Sequence, residues 1–90
     1  MSKHPGTVLK ETLIGLGITE YALAKSVGVQ QTKISQIIKG KRSITVDTSM
    51  RLGRYFSMPA VYWLHLQNEY DISTQDEGKY ASITPLFSPK

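Results

Sequence analysis

Residues 20–39 read EYALAKSVGVQQTKISQIIK, and five side chains in this stretch, Ala24, Gly28, Val29, Ile34 and Ile37, stand at the offsets of two short helices crossing at a tight turn. Ala24 is small where the helices approach most closely, and Gly28 permits the positive φ that so sharp a turn needs. Val29, Ile34 and Ile37 fall on the underside of the second helix and anchor it. With that side committed to a core, the helix turns Gln30, Gln31, Thr32, Lys33, Ser35, Gln36 and Lys39 outward. A helix held from beneath and polar above fits a major groove about 12 Å wide. Its amides and hydroxyls suit the hydrogen-bonding edges of bases. The stretch therefore predicts a helix-turn-helix whose second helix reads DNA.

Within that face the residues divide by chemistry. Gln30 and Gln31 can each pair with adenine N6 and N7, and Thr32, Ser35 and Gln36 complete the base-reading set. Lys33 and Lys39, with Lys41 and Arg42 in the connector beyond Gly40, are expected to meet phosphates, giving affinity and register without sequence information. Glu20, near where the first helix of the pair meets the DNA backbone, is an electrostatic misfit in this scheme.

Working outward, the periodicity of Val8, Leu9, Leu13 and Ile14 after Pro5 predicts a first helix from about Pro5 to Leu16, stopped by Gly17. Thr19 offers an N-cap to the helix carrying Leu23, Ala24 and Val27, and Gly40 halts the next. Thr45 is placed to cap a fourth helix carrying Thr48, Met50, Leu52, Tyr55 and Phe56. Pro59 marks a break, after which Val61, Trp63, Leu64, Leu66 and Tyr70 fit a fifth helix from about Pro59 to Asp71. The expected fold is all-α, with a five-helix DNA-binding domain over residues 1–72. Residues 73–90, with Pro85 and Pro89, read as a short irregular tail, flexible or carrying a short strand over Tyr80–Phe87.

Composition narrows the function further. The 90 residues allow one domain, and the chain has no cysteine, which excludes a disulfide framework and thiolate metal sites. The net charge of +4 is unevenly distributed: residues 1–54 hold nine Lys and Arg against three acids, whereas residues 55–90 hold two against four. A basic half and an acidic end suggest a polyanion-binding face with a different task at the other end. No apolar run approaches the roughly 18 residues of a membrane span, and Met1–Gly6 lacks a signal-peptide profile, so a cytoplasmic location is the expectation.

The chain resembles the Xre/Cro (lambda-repressor-like) helix-turn-helix proteins, and within them the HigA, or VapI-like, antitoxins. The resemblance covers about residues 4–72: His4-Pro5-Gly6, Ala24 to Ile38, Gly40-Lys41-Arg42, Thr45 to Thr48, Arg51-Leu52, and Trp63 to Asp71. The Trp-Leu-x-Leu-Gln-x-x-Tyr-Asp end is what looks like HigA in particular. The resemblance implies a homodimer that binds palindromic operator DNA in its own operon and neutralises a HigB-type toxin, a RelE-like mRNA endoribonuclease. Glu20 and Ala60 depart from the family pattern, in which a neutral polar residue and an acidic residue are commoner.

Other residues carry plainer expectations. Trp63, Leu66 and Tyr70 read as core or dimer interface. Asp47 and Arg51, four residues apart, read as a surface ion pair. His4 and His65 lack metal-ligand spacing, and no catalytic set or cofactor loop is discernible. Two alternatives stand beside the antitoxin reading: a stand-alone phage-type repressor, and a protein-binding module on a helix-turn-helix scaffold.

Overall fold

The computed structural model describes residues 2–87; Met1 and residues 88–90, Pro89 among them, lie outside the described part. Five α-helices follow one another: α1 (Pro5–Leu16), α2 (Glu20–Val27), α3 (Gln31–Ile38), α4 (Val46–Phe56) and α5 (Val61–Ser73). Their ends are specified locally. The side chains of His4, Thr19 and Thr45 accept backbone N–H bonds at the starts of α1, α2 and α4, satisfying donors that the first helical turn leaves open. Gly17 and Gly28 close α1 and α2 in the left-handed conformation (φ 67° and 72°), as their sequence positions require.

These short helices enclose one core built around Leu9, Leu23, Ile34, Ile37, Leu52 and Trp63, all fully buried. Trp63 packs against Phe56 at a tilt and against Tyr62 edge-on, with ring centroids 5.9 and 5.2 Å away. Trp63 lies in this core, whereas Leu66 and Tyr70 are only half-buried. Gln67, 4% exposed, joins the α3–α4 connector to α5. Its Oε1 accepts the Ile44 N–H at 2.8 Å and its Nε2 donates to Asp71 at 2.8 Å. Both halves of the buried amide are thereby satisfied.

The start of α1 rests directly on the end of α3. A Cβ placed on Gly6 would stand 1.8 Å from the carbonyl oxygen of Ile37. The position needs glycine for closeness of approach, not for an unusual φ.

Three sequence expectations are revised. The fifth helix begins at Val61 and runs to Ser73, two residues later at each end than its apolar pattern suggested. Pro59 and Ala60 form the turn before it, held by the Tyr62 N–H on the Pro59 carbonyl and by the Ser49 hydroxyl on the Ala60 carbonyl. On α1 and α4, Ile14 and Met50 face solvent; α4 buries Leu52 as expected, and beside it Thr48, Ser49 and Gly53, small residues that admit α5 closely. The tail holds a single 3₁₀ turn, Glu77–Lys79, and no strand occurs among the described residues. A lone Tyr80–Phe87 segment has no sheet edge to pair with. No helix of the described part is long and apolar enough to cross a membrane.

His4 gives this fold a pH dependence. Its Nδ1 accepts the Gly6 N–H at 2.9 Å, which only the neutral ring can do, and its ring packs edge-on against Tyr70. Burial lowers its pKa below 6.5, partly opposed by the Asp71 carboxylate. The unfolded chain therefore takes up this proton first. The contribution is complete above about pH 6.5 and is lost as pH falls through the lower native value. His4→Asn keeps a capping acceptor without titrating, so its denaturation midpoint should fall less than that of the wild type between about pH 7.5 and about pH 5.

Candidate nucleic-acid interface

The surface of interest is built on α3, whose orientation is fixed by what it buries. Ile34 and Ile37 are 0% exposed, and Ala24 and Val27 of α2 close the same seam. The turn between the helices is held by the Val29 N–H on the Ala24 carbonyl at 3.0 Å. Arg51 adds a clamp that its sequence spacing did not reveal. Its Nε pairs with Asp47 at 2.9 Å as expected, but Nη1 also donates to the Val27 carbonyl at 2.8 Å, taking up an acceptor at the end of α2. The sequence signal was a helix ending at glycine, which leaves carbonyls for a nearby cation.

On the opposite side, Gln31, Thr32, Ser35, Gln36, Lys39 and Lys41 line one open depression of about 440 Å³. Six of the nine residues expected to contact DNA thus come together on one face. Gln30 precedes the helix at its N-cap position, exposed, with no side-chain capping bond, and Lys33 is half-buried. Gly40, at φ 76°, reverses the chain after α3. The Lys41 N–H bonds back to the Gln36 carbonyl at 2.8 Å, holding the basic connector beside the helix.

Two members of the face are engaged within the protein. Gln36 Oε1 accepts the Arg42 Nε–H at 2.9 Å, which ties that guanidinium to α3 and leaves the Gln36 amide as a donor. The Ser35 hydroxyl donates to Glu20 Oε1 at 2.7 Å. Glu20, unaccounted for by sequence, thus has a partner on the neighbouring helix, fifteen positions away and beyond the reach of a local pattern. Among the described residues no three His, Asp or Glu side chains gather as metal ligands.

A buried-seam helix pair with a polar second helix and a basic connector defines a helix-turn-helix protein, and the family described as "Helix-turn-helix" matches residues 9–63. Virulence-associated protein I of Dichelobacter nodosus is 40% identical over 92% of this chain and 80% of its own length. Antitoxin HigA-1 of Vibrio cholerae is 32% identical over 91% of this chain and 81% of its own length. The Pseudomonas aeruginosa antitoxin HigA, solved with the higBA promoter, superposes with a TM-score of 0.89 at 34% identity, over 97% of this chain and all of its own. The chain belongs to the HigA antitoxin family of helix-turn-helix proteins.

Proposed function

We propose that this protein is a sequence-specific repressor that binds a palindromic operator as a homodimer and neutralises a HigB-type endoribonuclease toxin encoded beside it. The observation that carries the DNA part is α3 itself: Ile34 and Ile37 are fully buried on one side, and the opposite side presents amides, hydroxyls and ammonium groups around one open depression. That the Pseudomonas aeruginosa relative was solved with promoter DNA supports DNA binding by this chain. Gln30, Gln31 and Thr32 read base edges directly; Gln36 reads through its amide donor, and Ser35 through the lone pairs left after bonding Glu20. Lys33, Lys39, Lys41 and Arg42 take phosphates.

Exposed apolar residues at the C-terminal end support dimerisation. Val61 and Ile72 of α5 and Ile83, Leu86 and Phe87 of the tail are more than half exposed in the single chain, a cost that a second copy relieves. A two-fold pair places its reading helices about 34–36 Å apart, one turn of DNA.

Co-expression with the adjacent small ribonuclease should restore growth to cells it arrests, and the two proteins should co-purify. Absence of both rescue and complex would reduce the function to that of a stand-alone repressor. Failure to bind any duplex in a salt-dependent manner would remove the repressor as well.

A further inference from the structure

The bond between Glu20 and Ser35 changes what the reading face can recognise. A serine hydroxyl is ordinarily indifferent, donating to a base acceptor or accepting from a base donor as its rotor allows. Here the proton is committed to Glu20 Oε1 at 2.7 Å, so Ser35 Oγ offers only lone pairs to anything opposite it. The carboxylate beside it is likewise acceptor-only. Both groups are half-buried, and Ser35 lies four residues after Gln31 on the same side of α3, lining the same depression.

We propose that Glu20, through its hydrogen bond to Ser35, is a specificity-determining residue, one that admits cytosine or adenine opposite Ser35 and rejects guanine or thymine. In the major groove, cytosine N4 and adenine N6 present amino donors to these acceptors. Guanine O6 and thymine O4 would instead set oxygen lone pairs against them. The negative charge has a second effect. It opposes the phosphate backbone wherever the protein sits, so it lowers affinity for every duplex and leaves only a well-matched site able to offset the loss. That penalty is the same for right and wrong sequences; the discrimination comes from the Ser35 and Glu20 lone pairs, which weaken complexes with guanine or thymine more than those with cytosine or adenine. The inference rests on α3 being the DNA reader.

The test selects duplexes from a randomised pool with the full chain and measures affinities for the winners and for random DNA at fixed salt. The wild type should enrich cytosine or adenine at one position of each half-site. Glu20→Gln, whose amide can accept from Ser35 or donate to it, should relax that position alone. Its penalty for guanine or thymine there should fall about tenfold, and its affinity for random DNA should rise. Ser35→Ala, which keeps the charge, should relax the same position without that rise, and it carries the test should Glu20→Gln not fold. If Glu20→Gln leaves every position unchanged while Gln31→Ala relaxes its own, the proposal is overturned and reading by α3 stands. If the wild type selects no sequence at all, both fall together.

Discussion

Replacing Gly6 by alanine is expected to destabilise the domain by about 3 kcal/mol or more, the upper range for overpacking a close contact. The added methyl would stand 1.8 Å from the Ile37 carbonyl oxygen, and that neighbour is helical backbone, which cannot rotate aside. Either α1 lifts or the last turn of α3 is displaced. Because α3 bears the proposed reading face, operator affinity should fall with stability. Gly15→Ala, in the same helix but with open space around its Cβ, should instead stabilise by about 0.5–1 kcal/mol. Denaturant titration of the two variants checks the pair. Equal effects at positions 6 and 15 would mean that α1 does not rest on α3.

Trp63→Ala is expected to cost about 3–5 kcal/mol, a large share of the roughly 5–15 kcal/mol that holds a typical domain. The ring is fully enclosed and packed against Phe56 and Tyr62, so little can collapse into the space. Trp63→Phe should cost less than Trp63→Ala, because it leaves the smaller cavity. The indole N–H finds no acceptor among the described residues, so phenylalanine gives up no hydrogen bond. Because the ring packs within one chain, the loss should be the same at low and high protein concentration. A loss that grows on dilution would place Trp63 at a subunit interface instead.

Much of this was legible along the chain because the signals are local. The caps at Thr19 and Thr45, the glycine stops at Gly17 and Gly28, and the aliphatic spacing of Ile34 and Ile37 act within one or two turns, so sequence distance and spatial distance coincide. The face of α3 followed from the side it buries. Contacts between distant positions were not legible. Glu20 with Ser35, Arg51 with Val27, and Gly6 against Ile37 depend on how helices cross. The fifth helix was set early because Pro59 is a good first-turn residue, yet here it serves in the turn before the helix. Ile14 and Met50 have apolar side chains on exposed faces, which periodicity alone does not separate from core.

The use of α3 as the base reader is tested most directly by salt titrations of Gln31→Ala and Arg42→Ala, each on operator and on random duplex. Gln31 is a neutral exposed amide at the start of α3, so its loss should cost about 1–3 kcal/mol on the operator and leave random binding nearly unchanged. The slope of log K against log salt should keep its wild-type value. Arg42, held beside the helix by Gln36, should weaken both duplexes when removed and lower the slope by about one unit, the signature of one lost phosphate contact. Equal weakening of operator and random DNA by Gln31→Ala, or a slope lowered by Gln31→Ala and not by Arg42→Ala, would contradict base reading by this helix.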